Sequence, residues 1–149
     1  GEAGAGARKV VLKLQHDGIA PLMQRDMVAC LRIARVMRYL NPDLASIHTV
    51  LAAWEDEMHK ELDFTFEAAN LREVRHNLEV AGIEAIVPRP VEGLVGRRAM
   101  VMSFEEGFKV TDREALAIHA VDCEALMVRI VQIYAQQLFV DGFFNADPH

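Results

Sequence analysis

Apolar residues change their spacing several times along this chain, and each change marks an element. Residues 8–16, RKVVLKLQH, form a short Val/Leu run alternating around Lys13, the period of a strand that holds one Lys on its inner face. Gly18 ends it. From Ile19 to Leu40 the apolar positions recur at three and four (Leu22, Met23, Met27, Leu31, Ala34, Met37), which predicts an amphipathic helix with Arg25, Arg32, Arg35 and Arg38 on its other side. That basic side has two readings, a solvated face or a docking surface for anionic lipid or a partner helix. Asn41 followed by Pro42 is a helix start, and Ile47, Leu51, Trp54, Met58 and Leu62 continue an apolar stripe along a helical region that stops at Gly82. About forty residues is long for one helix, so an interruption is expected near Lys60.

Beyond Gly82 the period shortens again. Ile83 to Val87, closed by Pro88, and Arg98 to Phe104 read as antiparallel strands separated by Gly93 and Gly96, and with the first strand they make a small sheet. Thr111 with Glu114 has the spacing of a capping box opening a short helix. Asp122 caps a longer one that runs to Gly142 through Leu126, Ile130, Ile133, Tyr134 and Leu138. Strand, helices, two strands, helices is an α+β order without internal repeats.

Composition narrows the function classes. A chain of 149 residues, 52% apolar and 26% charged, can bury one core and is not disordered. Its formal charge of -6 has the wrong sign for a nucleic-acid surface. Leu44 to Trp54 and Ile130 to Val140, the longest uncharged stretches, fall well short of the roughly 18–20 residues of a membrane-spanning helix. Cys30 and Cys123 stand alone and read as small apolar residues of a reducing compartment. None of the six His lies three or four residues from another, which argues against a zinc site of the usual kind. Gly1 to Ala7 carries no initiator Met and no signal- or transit-peptide character, the expectation for a fragment.

Three features place charge in apolar surroundings, where an unpaired charge is costly. Lys13 sits between Leu12 and Leu14, and alone it has a plain reading as an edge-strand Lys facing water. Glu61, Asp63 and Glu67 crowd into ELDFTFEAAN, with Asp63 and Glu67 at four-residue spacing on one helix face, where like charges call for an opposing cation or metal. Asp147, in DGFFNADPH, follows the last helix in an extended loop, where a loop cap is the plain reading. Strand Lys, helix Glu, two strands, then a helix leading into a loop Asp is the order of a protein-kinase active site.

At these residues the chain resembles a known family. VLKLQHDGI is similar to the V-K-V-Q-H-x-G-I strand of the UbiB (aarF-domain, ADCK-type) atypical kinases, KELDFTFEAAN to their E-L-D-F-x-x-E-A-x-N helix, and DGFFNADPH to their D-G-F-F-x-x-D-P-H loop. The resemblance runs from Lys9 to His149. It implies a partial protein-kinase-like domain, in which residues 1–104 are part of the N-lobe with family-specific inserted helices and 105–149 are the linker and the start of the C-lobe, cut in the catalytic loop.

The resemblance also implies roles. Lys13 would hold the phosphates of ATP, Glu67 would pair with it, and Asp147 would be the catalytic-loop Asp, with His149 at the position of that loop's usual Lys. Gln15 and His16 belong to the strand motif, and Glu61 and Asp63 are the family's E-x-D pair. Asn145 stands where many members have His. VMSFEEG looks like the segment between the lobes, where Met102 would set pocket depth and the carbonyl of Ser103 and amide of Glu105 would contact adenine. Mg ligands would come mostly from P-G-N and D-F-G motifs beyond His149, so the chain alone is expected to be inactive in phosphoryl transfer.

The family's link to ubiquinone and other prenyl-lipid metabolism implies a mitochondrial or plastid setting in eukaryotes and the cytoplasmic face of a membrane in bacteria, with anionic or prenyl lipid as a partner. A non-catalytic nucleotide-binding scaffold is the alternative to a kinase or ATPase. A helical interaction module without nucleotide is the third reading.

Overall fold

A computed structural model describes residues 8–144 of the chain. The elements are β1 (Val10–Leu14), α1 (Ile19–Leu40), a 3-10 turn (Pro42–Leu44), α2 (Ala45–Glu61), α3 (Phe64–Val80), β2 (Pro90–Val95), β3 (Ala99–Ser103), α4 (Arg113–Ile118) and α5 (Cys123–Gln136), whose end passes into a π-helical turn (Gln137–Asp141). The α+β class expected from the apolar pattern holds.

The sheet has the order β1-β3-β2. Gln15 N donates to Arg98 O at 2.9 Å and Phe104 N to Lys9 O at 3.2 Å, so β1 and β3 run antiparallel and advance in step. β2 and β3 form a hairpin closed by Gly96 N to Ala99 O at 2.8 Å. They do not advance in step. Ser103 N reaches Arg89 O, so the β2 side covers seven positions, Gly96 back to Arg89, while β3 covers four. Gly93, at φ 75° within β2, takes up slack in a left-handed conformation that costs only Gly little.

This corrects the strand expected over Ile83 to Val87. That segment lies outside the sheet, and the strand begins after it, at Pro90. Pro88 and Pro90 lack amide donors, and the ladder forms where Gly93 provides adaptable backbone, so the residue that resembles a separator lies inside the strand.

The chain divides into two compact units. One comprises residues 12–68 and 91–101. Its centre is the α1–α2 hairpin, turned at Asn41, whose amide donates to Met37 O at 2.8 Å and whose side chain accepts from Asp43 N at 3.0 Å. Met27, Ala34, Met58, Phe64, Ala68 and Met100 form its core. Met27 and Ala34 lie on the predicted stripe of α1. On α2 the less exposed side runs through His48, Leu51, Ala52, Glu55 and Met58, so Leu51 and Met58 of the expected stripe are covered, whereas Ile47 and Trp54, at 38% and 59%, are exposed. The covered side is rotated slightly from the expected stripe, a choice that packing makes.

The other unit comprises residues 8–11, 69–90 and 102–144 of the described chain. α3 ends in a Schellman motif, with Ile83 N on Leu78 O at 2.9 Å, Gly82 N on Glu79 O at 3.1 Å, and Gly82 at φ 67°. α4 is capped by Asp112, which accepts from Ala115 N at 3.0 Å, one residue after the Thr111 of the expected box. Asp122 caps α5 as expected, accepting from Glu124 N and Ala125 N, both at 3.0 Å. Arg129 ties α5 to the segment after α3 by donating to Glu84 O at 3.1 Å.

Candidate functional site

β1 begins the site. Its pleat turns Val11, Lys13 and Gln15 to the less exposed side and leaves Val10, Leu12 and Leu14 outward. Lys13 therefore points inward from an edge strand, against its plain reading. Its ammonium donates to both oxygens of Glu67, at 2.8 Å to Oε1 and 2.7 Å to Oε2. It also lies 5.1 Å from the ring centroid of Phe64, the buried first residue of α3. An ammonium has three N–H donors. Two are taken by Glu67, and among the described residues the third has no acceptor. The side chains of Lys13 and Glu67 are 43% and 36% exposed, so solvent or a ligand reaches the pair.

The interruption expected near Lys60 falls at Leu62–Asp63. Asp63 causes the restart: Oδ1 accepts from Thr65 N at 3.0 Å and Thr65 Oγ1 at 2.6 Å, the bonds of a helix cap. Its Oδ2 accepts from Arg97 Nε at 3.0 Å. The hydroxyl and amide of Thr65 above all, with Arg97 beside them, hold this carboxyl below the ordinary carboxylate range. Asp63 and Glu67 are thus not two acids sharing one cation along a helix. Asp63 caps α3 and takes Arg97, while Glu67 takes Lys13.

Gln15 joins the same place, its Nε2 donating to Leu62 O at 3.0 Å. His16 and Glu61 are exposed, and the structure does not gather them into this cluster. The sequence reading missed Phe64, Thr65 and Arg97. Thr65, two residues after Asp63, carries the local signal of a cap. The approach of Arg97 and the ring's place against Lys13 have none.

In the other unit, Ser103 ends β3. Its amide and Oγ both engage Arg89, donating to Arg89 O and accepting from Arg89 N, each at 2.9 Å, and Oγ is hydrogen-bonded to the Glu105 carboxylate. Lys9 pairs with Glu106 at 2.6 Å and faces the Phe104 ring. Met102 is half-buried. At the end of α5, Gln136 Nε2 donates to Asp141 Oδ1 at 2.9 Å. Asn145, Asp147 and His149 lie outside the described residues. No group of three or more His, Cys, Asp or Glu able to hold a metal occurs among the described residues.

The model of the ABC1 atypical kinase-like domain matches residues 3–149. The chain belongs to that family. Among curated proteins, this ABC1-family chain is 33% identical over 144 residues to the Probable protein kinase UbiB of Pseudomonas entomophila (strain L48), and the match covers 95% of the chain and 26% of that protein. It is likewise 33% identical over 144 residues to the Probable protein kinase UbiB of Erwinia tasmaniensis, with the same coverage. The UbiB of Pseudomonas putida (strain F1) is 32% identical over 143 residues. The chain thus spans about a quarter of the length of these relatives, 26%. The resemblance read from the three motifs agrees with the ABC1 family, and the Lys13–Glu67 pair joins two of those motifs within a kinase-like domain.

Proposed function

We propose that the chain is the nucleotide-holding part of an ATP-dependent atypical kinase or ATPase, with Lys13 as its phosphate ligand. The bidentate Lys13–Glu67 pair carries the reading. A carboxylate that occupies two donors fixes the ammonium in direction and leaves one N–H for an anion, which is the division of labour between strand Lys and helix Glu in a kinase. Exposure of the pair supports access for phosphate oxygens.

In this reading Met102, Ser103 and Glu105 contact adenine, Asp147 orients the nucleophile, residues 1–104 belong to the N-lobe and 105–149 begin the C-lobe. Mg, which when bound would neutralise phosphate charge, takes its ligands outside the described residues. In this reading the activity is linked to ubiquinone or other prenyl-lipid metabolism.

Titration of the chain with Mg-ATP tests the binding step. Saturable binding that Lys13→Met abolishes is expected; no binding, or binding indifferent to Lys13→Met, overturns it. In the full-length protein, ATP turnover lost in Asp147→Asn distinguishes phosphoryl transfer from a nucleotide-binding scaffold.

A lipid surface is the partner this reading favours for α1. Arg25, Arg32, Arg35 and Arg38 are exposed, and among the described residues none has a carboxylate partner. They stand among exposed Val28, Ile33, Val36 and Tyr39, a mixture suited to an anionic interface. No described helix is long and apolar enough to cross a membrane. Adsorption to phosphatidylserine vesicles that falls when the four Arg become Gln supports it; equal adsorption to neutral vesicles refutes it.

A further inference from the structure

The break between α2 and α3 is gripped from two sides within one unit. From β1, Gln15 Nε2 donates to Leu62 O at 3.0 Å. From the β2–β3 turn, Arg97 acts twice, its carbonyl accepting from Phe64 N at 3.0 Å and its guanidinium donating to Asp63 Oδ2 at 3.0 Å. The two grips are themselves joined, because Gln15 N donates to Arg98 O at 2.9 Å. Leu62, Asp63 and Phe64, the residues at which helix direction is reset, therefore have their backbone or side chains tied to residues at the margin of the sheet, Gln15 just after β1 and Arg97 in the β2–β3 turn.

The consequence concerns Glu67, one turn into α3. A helix is stiff along its axis, so fixing its first residues fixes the height and rotation of the side chain four positions on. Glu67 meets Lys13 with both oxygens, a geometry sensitive to shifts of a fraction of an ångström. Phe64, held by the Arg97 carbonyl, also presents its ring to Lys13. Asp63 is suited to the task because its side chain is only 12% exposed while Arg97, at 82%, lies over it from the turn.

We infer that Arg97 is a positioning residue: through Asp63 and the Phe64 amide it sets the register of α3 and so aligns Glu67 with Lys13. The inference rests on the reading of Lys13 as the phosphate ligand for its importance, but not for its test. The turn between β2 and β3 becomes a control point for the ion pair without touching nucleotide, and a ligand or partner that draws Arg97 away would loosen Glu67 from Lys13.

The test reads the ion pair directly. In the intact chain labelled at glutamate carboxyl carbons, with Glu67 assigned by Glu67→Gln, Lys13→Met is expected to displace the Glu67 resonance. In an Arg97→Ala background most of that displacement is lost, and Arg97→Lys restores part of it because the cation returns without the fixed guanidinium fork. If Arg97→Ala does not fold, Asp63→Asn serves, since its amide oxygen still accepts from Thr65 while the charge facing Arg97 is gone. An undiminished displacement in Arg97→Ala or Asp63→Asn overturns the inference. Absence of any displacement in the otherwise unmodified chain sinks the Lys13–Glu67 pair itself. Mg-ATP titration keeps the two failures apart: binding that depends on Lys13 but not on Arg97 leaves the nucleotide reading standing and removes the clamp.

Discussion

Replacing Lys13 with Met and Glu67 with Gln, singly and together, asks whether the pair is kept for stability or for another purpose. At 2.7 Å, Coulomb's law gives roughly 1.5 kcal/mol at the dielectric of water and about 6 kcal/mol at an effective dielectric near 20. The structure selects the lower end. Both side chains are more than a third exposed, at 43% and 36%, so water screens the attraction and little desolvation has to be offset. Exposed pairs of this kind contribute about 0.2–1 kcal/mol, and the two-point geometry favours the upper half of that range. The expected coupling energy is therefore about 0.5–1 kcal/mol, smaller at high salt.

Urea unfolding followed by tryptophan fluorescence measures it. Trp54, the single Trp, lies in the same unit as the pair, so its signal reports that unit even if the two unfold separately. Additive single and double variants would show that the side chains do not meet. A loss of about 3–5 kcal/mol from one substitution would mark a buried pair and refute the reasoning from exposure.

Met100, fully buried in β3, should lose about 2–5 kcal/mol on Met100→Ala, read by the same urea midpoint; a loss within about 0.5 kcal/mol would refute its place in the core. Asp112→Ala and Asp122→Ala should each cost about 1 kcal/mol while Thr111→Val costs little, a contrast that thermal melts resolve; the reverse order would restore the Thr111 cap. Asp63 has its carboxyl pKa lowered by folding, so the unfolded chain binds its proton first on acidification. The stability difference between the unmodified chain and Asp63→Asn should be full above the ordinary Asp pKa of about 3.9 and fade as pH falls through the lower folded value. A difference that grows on acidification would contradict the cap.

Much of the local structure was legible because it depends on neighbours in sequence. The bounds of α1 follow from an uninterrupted apolar period and a Gly before it, and the length of the helical region that follows is what places a break near Lys60, two residues before its actual position at Leu62–Asp63. β2 was misplaced because Gly93 carries two meanings, separator and adaptable strand residue, that only the partner strand distinguishes. Thr111 and Asp112 are adjacent cap residues, and the choice between them depends on where the preceding chain enters. At the site, Lys13 and Glu67 were legible as types in an order, whereas the hold of Arg97 on Asp63 joins residues far apart in sequence and leaves no trace in spacing.

Periodicity and capping, which act over a few residues, set the number, type and approximate limits of the helices and the alternation of β1 in advance of any packing. The rotation of α2 that leaves Trp54 in solvent while covering Leu51 and Met58, and which carboxylate receives which cation, were decided only when distant segments closed on one another. The reason lies in range. Backbone hydrogen bonds and side-chain period are local properties, but burial and ion pairing are satisfied by whatever surface arrives, and that surface comes from elsewhere in the chain.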